Sequence, residues 1–184
     1  MSNSKEIIKI GCILFAITAI AALLLAVVNN ITAPVIAENQ LTKTYASMGV
    51  VMPDAKTFEK IDTSGVANIT EAYKALDDSN NTIGICVISS SFGYGGEVKV
   101  LTGISDGKVT GIDILSHSET PGLGANATND DFKNQFTEKE GSVNVVKKNA
   151  KENEINAISS ATITSNAVCN CVNVALDFAS EVEK

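Results

Sequence analysis

The sequence predicts an α+β protein in which a single N-terminal transmembrane helix precedes one domain with a mostly antiparallel sheet and flanking helices. Three features support this prediction. Residues 10–28 form an uncharged apolar run, and residues 164–182 carry apolar side chains at helical spacing. Between them, two segments rich in β-branched residues meet at Asp106-Gly107, which is typical of a hairpin turn. No long helical crossover separates the strand-like segments, which favours antiparallel pairing.

The N-terminal segment, residues 1–30, is predicted to anchor the chain in a lipid bilayer. Its 19 uncharged residues approach the ~20 that span a bilayer as a helix. A cleaved signal peptide is the alternative, but its apolar core is usually only about 7–15 residues long. Lys5 and Lys9 flank the N-terminal side of the run, so the positive-inside rule places the C-terminal domain on the extracytoplasmic side of the cell membrane.

After the anchor, residues 31–68 are predicted to be an extramembrane connecting helix or linker, and residues 69–184 the folded domain. Strands are predicted from β-branched runs between turn residues at residues 69–76, 82–90, 97–105 and 108–117. The first has the weakest apolar pattern and is expected to be half-buried at best. A short helix is predicted over 130–136, a possible strand over 142–146, and a final helix with Thr164 or Ser165 as its N-cap.

The composition excludes several functional classes. The 184 residues carry a net charge of −7, and all 14 basic residues are lysine. A nucleic-acid-binding protein needs a basic surface, so no nucleic-acid partner is expected. One histidine, His117, and four cysteines are too few for a His-rich metal centre or a disulfide-dense scaffold.

Three segments of the sequence say more about function than the predicted fold does. Residues 93–97 (GYGGE) place three glycines beside a strand, which permits a bulge or a close backbone approach to a ligand. Residues 117–124 (HSETPGLG) follow a strand and form either an ordinary turn or a stiff loop able to wrap a flat ring. In the second case its amides face carbonyl oxygens and Leu123 contacts the ring face.

The third segment, residues 156–165 (NAISSATITS), crowds five hydroxyl groups at the entrance of the last helix. They are either redundant helix caps or an anchor for an anion, because the free amides of a helix N-terminus favour a phosphate. A hydrolase nucleophile is less well supported, because His117 has no evident Asp partner. A redox or metal site at Cys169 and Cys171 is also disfavoured, since helical geometry points their thiols about 200° apart.

Together, the motifs GYGGEVKVLTGI, HSETPGLG and SSATITS, in this order behind one membrane helix, resemble the G subunit of the Rnf complex. A related family is the C subunit of the sodium-pumping NADH:quinone reductase, and both contain an FMN-binding domain. The resemblance implies FMN joined through its phosphate to the hydroxyl of Thr162, within the segment Ser159, Ser160, Ala161 and Thr162. Asn156 and Ser160 depart from the Asp and Gly usual in this pattern. The resemblance also places four residues around the flavin: Glu119, Thr120, Leu123 and Gly124.

The function implied by this resemblance is electron transfer in a membrane ferredoxin:NAD⁺ oxidoreductase coupled to Na⁺ or H⁺ movement. The chain would be a redox subunit that does not turn over alone. Its expected partners are the other subunits of the Rnf complex, a flavin transferase that uses FAD as donor, and the lipid bilayer. The alternatives are the corresponding subunit of the quinone reductase and a flavin-free, membrane-tethered assembly domain with Thr162 unmodified.

Overall fold

A computed structural model describes residues 2–63 and 65–182. The chain divides into two compact units, residues 1–42 and residues 43–184. Helix α1 (Ser2–Val51) begins in the first unit and ends in the second. The two units confirm the predicted fold class, which is an apolar N-terminal helix followed by an α+β domain built on an antiparallel sheet.

The first unit consists of the apolar part of α1, whose side chains from Ser4 to Thr42 are all exposed. The most apolar 18-residue window of α1 has a mean hydropathy of 2.8. Among the described residues, α1 is the one helix long and apolar enough to cross a membrane. The hydroxyls of Thr18 and Thr32 donate to the carbonyls of Leu14 and Val28, each at 3.0 Å. These bonds satisfy polar groups that lipid cannot. The chain is therefore a single-pass membrane protein.

The second unit is built on a five-stranded sheet with the order β1-β2-β3-β4-β5, in which every neighbouring pair is antiparallel. The strands are β1 (Thr57–Ile61), β2 (Ile69–Leu76), β3 (Thr82–Phe92), β4 (Glu97–Ser105) and β5 (Lys108–Ser116). Asp106 and Gly107 have φ values of 51° and 73°, as a tight hairpin turn with two left-handed residues requires. The Asp-Gly hairpin is thus confirmed.

Both faces of the sheet are covered. Helix α3 (Thr162–Val182) packs against one face, where Val87, Val100 and Val172 are fully buried. The other face is covered by Met48 in the last turns of α1 and by Met52, which follows the end of this helix. The expectation that β2 is half-buried at best is wrong, because five of its eight residues are buried between these two layers.

Smaller elements complete the domain. A 3-10 helix (Gly124–Thr128) and the short helix α2 (Asp130–Lys133) precede a parallel pair of strands, β6 (Asn144–Val146) and β7 (Glu154–Asn156). Neither β7 nor the exposed edge strand β1 is predicted by the sequence pattern. Helix α3 begins two residues earlier than expected, so Ala161 lies at the cap position. Thr164 and Ser165 are buried in the first turn, and the predicted capping role of these two residues is therefore wrong.

Candidate functional site

The three segments singled out in the sequence meet at the carboxylate of Glu119, which is only 7% exposed. Its Oε1 accepts a hydrogen bond from the Gly95 N–H at 3.1 Å, and its Oε2 accepts one from the Thr164 hydroxyl at 2.8 Å. The Glu119 N–H in turn donates to Nδ1 of His117 at 3.2 Å. One buried side chain therefore fixes the β3–β4 loop, the HSETPGLG loop and the first turn of α3 to one another.

Glycines make room for this carboxylate. A Cβ atom on Gly93 would lie 2.1 Å from Glu119 Oε1, and one on Gly124 would lie 2.3 Å from Oε2 and 2.6 Å from the Thr164 Oγ1. Such distances are far inside van der Waals contact, so larger residues cannot occupy these positions without displacing Glu119. The close backbone approach expected of the glycine loop is made to a side chain of the protein itself.

An open cleft of about 470 Å³ lies beside this junction. It is lined by Tyr94, Glu119, Thr120, Leu123, Gly124 and residues 160–164. Three apolar side chains on it remain accessible to solvent, with Tyr94 75% exposed, Ile163 55% and Leu123 42%. An apolar lining with a few polar groups is typical of small-molecule and cofactor sites.

Three lining residues, Tyr94, Ile163 and Thr164, are not among the predicted site residues, and the sequence predicts Thr164 only as a helix cap. Tyr94 lies inside the glycine segment that the sequence singles out. An aromatic residue between two glycines is the feature of the sequence that could have identified it as a site residue. Ile163 interrupts a run of hydroxyl residues at the helix entrance. The predicted site residue Ser159 is exposed in the turn before α3 but does not line the cleft.

The five hydroxyls of the third segment have different surroundings. Thr164 donates to Glu119, and Ser165 donates to the Ala161 carbonyl at 3.0 Å while accepting from the Ile158 N–H at 2.9 Å. Thr162 is exposed, and its hydroxyl makes no hydrogen bond to any described residue. The remaining two, Ser159 and Ser160, are exposed in the preceding turn.

Thr162 is the first residue of the 21-residue helix α3. The first amide of this helix with an intrahelical acceptor is that of Ser165, which donates to Ala161 at 3.0 Å. The amides of Thr162, Ile163 and Thr164 precede it. This first turn contains no acidic residue of its own, and the Glu119 carboxylate contacts it at the buried Thr164 hydroxyl. The arrangement favours a negatively charged group beside Thr162.

The two departures from the expected attachment pattern have visible structural consequences. Ser160 has a φ of 62°, a left-handed conformation that glycine adopts more readily. Asn156 Oδ1 accepts a hydrogen bond from the Ala150 N–H at 3.1 Å, and its own N–H donates to Gln135 Oε1 at 2.7 Å. Asn156 thus stabilises the approach to the helix through neutral hydrogen bonds.

The cysteines of α3 pack in the interior. Burial raises the pKa of the Cys169 thiol to about 11 and that of Cys171 to about 12, so both are protonated at neutral pH. Cys169 donates to the Val143 carbonyl at 3.1 Å. Neither thiol lines the cleft, and in the part of the chain that is described no group of three or more His, Cys, Asp or Glu side chains could hold a metal ion.

The features of the cleft fit FMN. The helix N-terminus suits its phosphate, and the apolar side chains of Tyr94, Leu123 and Ile163 suit its flat ring. Residues 93–177 match the family model described as FMN-binding domain, and residues 1–51 match that of the RnfG N-terminal region. The molecule is therefore an FMN-binding-domain protein on a single membrane helix.

Comparison with relatives narrows this class. The G subunit of the Na(+)-translocating ferredoxin:NAD(+) oxidoreductase complex of Acetobacterium woodii is 39% identical over 98% of this chain and 95% of the relative. The G subunit of the proton-translocating ferredoxin:NAD(+) oxidoreductase complex of Clostridium ljungdahlii is 39% identical over 86% of this chain and 83% of the relative. The chain belongs to the family of Rnf complex G subunits, which confirms the resemblance.

A solved structure supports the fold. The crystal structure of Shewanella oneidensis NqrC superimposes with a TM-score of 0.53 at 19% identity, covering 68% of this chain and 67% of that one. The likeness confirms the architecture of sheet and flanking helices that the sequence predicts.

Proposed function

We propose that this chain is an electron-transfer subunit of an ion-translocating ferredoxin:NAD⁺ oxidoreductase and that it carries FMN covalently on Thr162. The single observation behind this proposal is the exposed Thr162 hydroxyl at the start of α3, which bonds to no described residue and lies on the wall of an apolar cleft. The names of the two relatives described above, which are subunits of such oxidoreductases, support the same assignment.

Attachment requires a flavin transferase with FAD as donor. The Thr162 oxygen forms a bond to the FMN phosphorus, the bond between the two phosphates of FAD breaks, AMP leaves and the hydroxyl proton is released. The product is a phosphodiester with one negative charge. The amides at the start of α3 stabilise such a charge by roughly 0.3–1 kcal/mol at an exposed position.

The chain's own residues then place the cofactor. Tyr94, Leu123 and Ile163 offer apolar contacts to the ring, and Thr120 offers a polar group at the same wall. Glu119 acts behind them by holding the loop that carries Leu123 against α3. When bound, FMN supplies the redox chemistry, and the open cleft leaves its ring accessible to an electron donor and acceptor.

The membrane helix gives the subunit its location. It inserts in the lipid bilayer with the FMN-binding domain on the extracytoplasmic side, as the lysine distribution favours. Residues 10–28 carry no Asp, Glu, Lys, Arg or His, so the route of the coupling ion, Na⁺ or H⁺, lies in the other subunits of the complex.

Thr162→Ala tests the attachment site when the full chain is produced together with a flavin transferase. In-gel flavin fluorescence should be lost, while the far-UV circular dichroism spectrum stays unchanged because this exposed hydroxyl makes no hydrogen bond to a described residue. Ser159→Ala, which removes an exposed hydroxyl three residues earlier, is the matched control and should remain fluorescent. A fluorescent Thr162→Ala band would refute Thr162 as the acceptor.

A further inference from the structure

The wall of the cleft carries a negative charge. Among the described residues that line it, Glu119 is the one Asp, Glu, Lys or His. Its Oε2 lies between two other lining residues, because it accepts from the Thr164 hydroxyl at 2.8 Å and a Cβ atom on Gly124 would lie 2.3 Å from it. The carboxylate therefore stands directly behind the surface that faces a bound ligand.

No positive charge pairs with this carboxylate in the part of the chain that is described. Its hydrogen-bond donors, the Gly95 N–H and the Thr164 hydroxyl, are both neutral. The Nδ1 atom of His117 accepts a hydrogen bond from the Glu119 N–H at 3.2 Å, so this imidazole is in its neutral form. The ion pairs of the domain use other acids, namely Glu71, Glu97, Glu138, Asp113 and Asp130.

The other charges at or near the cleft are balanced. A phosphodiester on Thr162 carries one negative charge, and the amides at the start of α3 present the positive end of the helix dipole at the same place. Glu97, two residues after Gly95, lines a different cleft and lies 3.9 Å from the Lys99 Nζ. Glu119 is thus the charge without a counterion that this chain presents to a ring in the cleft.

We infer that Glu119 lowers the midpoint potential of the flavin. The inference rests on the proposed attachment of FMN at Thr162. Two-electron reduction takes two electrons from the electron donor of the complex and one proton from water, and at mildly alkaline pH it leaves one negative charge on the ring. A cleft of about 470 Å³ is about 10 Å across, which is within one Debye length at about 0.1 M ionic strength.

The fixed carboxylate therefore repels the charge that reduction adds to the ring. This repulsion makes the reduced flavin a stronger electron donor to the next cofactor. Burial keeps the effect from being screened by salt, since Glu119 is only 7% exposed.

The test is a spectroelectrochemical titration, at mildly alkaline pH, of the full chain in neutral detergent with FMN attached during production by a flavin transferase. Glu119→Gln removes the charge but can still accept from the Gly95 N–H and donate to the Thr164 hydroxyl. Its equilibrium constant for two-electron reduction should rise about tenfold, which is a potential about 30 mV more positive. Glu119→Asp keeps the charge and should stay closer to wild type.

Two controls separate charge from structure. Glu59→Gln removes an equal charge from an exposed position on β1, which contributes no residue to the cleft, and should leave the potential close to that of wild type. Thr164→Val breaks the hydrogen bond to Glu119 but keeps the carboxylate, so it should not raise the potential.

An unchanged or lower potential for Glu119→Gln would overturn the inference. An equal rise for Glu59→Gln would assign the effect to net charge, and an equal rise for Thr164→Val would assign it to packing. A Glu119→Gln chain that accepts no flavin would show that the carboxylate serves attachment instead. If the wild-type chain itself accepts no flavin, the proposed function fails, whereas a flavin-bearing wild type whose potential ignores Glu119→Gln refutes this inference alone.

Discussion

The two sides of the cleft differ although they are built from neighbouring residues. Its inner wall, formed by Glu119, Gly124 and Thr164, is closed by tight packing and by hydrogen bonds, one of which the Gly95 N–H donates to Glu119. Its outer rim, formed by Tyr94, Leu123, Thr162 and Ile163, is exposed. Thr162 and Thr164 show the difference most directly, because they lie two residues apart in the same helical turn. The inner wall holds the fold together, and the outer rim is left free for a ligand.

The strongest way to break the inner wall is Gly124→Ala. The new Cβ would lie 2.3 Å from Glu119 Oε2 and 2.6 Å from Thr164 Oγ1, and we expect this overpacking to lower the free energy of unfolding by about 3 kcal/mol. Urea denaturation of the flavin-free full chain measures the change. Gly49→Ala is the control, because it lies at an exposed helical position where the added Cβ would meet no neighbouring atom within 4 Å. This substitution should raise the free energy of unfolding slightly. Equal effects of the two substitutions would contradict the packing described for Glu119.

Removing the central carboxylate has the next largest effect. Glu119→Ala leaves the Gly95 N–H and the buried Thr164 hydroxyl without their acceptor, which should cost about 2 kcal/mol in the same experiment. Glu119→Gln keeps one acceptor oxygen and should cost less. If the alanine and glutamine variants both lost little free energy of unfolding, the carboxylate would not be the group that joins the three segments.

The two threonines provide a sharper comparison. Thr164→Val removes the donor to Glu119 Oε2 and should lower the free energy of unfolding by about 1 kcal/mol. Thr162→Val removes a hydroxyl without a described partner and should leave the stability of the flavin-free chain nearly unchanged. A larger loss at Thr162 than at Thr164 would invert the assignment of inner wall and outer rim.

The smallest effect is expected at Ser160, where the turn before α3 adopts a φ of 62°. Ser160→Gly should relieve this left-handed conformation and raise the melting temperature, with a net gain of about 0.5 kcal/mol, because the greater entropy of glycine in the unfolded chain offsets part of the relief. Ser159→Gly, at a neighbouring exposed position without a positive φ, is the matched control and should not stabilise. An equal gain at both positions would show that the positive φ of Ser160 is not the cause.

Local patterns are sufficient to predict most of the fold. The apolar run predicts the membrane helix, the Asp106-Gly107 pair predicts the β4–β5 hairpin, and helical spacing predicts α3. The strands β1 and β7 escape prediction because one is a polar edge strand and the other has only three residues, paired in parallel with β6. The burial of β2 depends on layers far away in sequence, which a local pattern does not contain.

The site is predicted unevenly for the same reason. The sequence singles out all three segments that the fold brings together, because each concentrates glycines or hydroxyls. It does not show that Glu119 joins them, since its bond to Thr164 spans 45 residues. Nor does it distinguish the exposed Thr162 from the buried Thr164, because both lie in one hydroxyl-rich run and only packing separates them.

Intact mass spectrometry followed by peptide mapping tests the central claim most directly. The full chain, produced together with a working flavin transferase, should be heavier than its sequence by the mass of FMN less one water. The added mass should map to the peptide that contains Thr162 and to the Thr162 side chain within it. A chain of unmodified mass, or FMN located on another residue, would contradict the account.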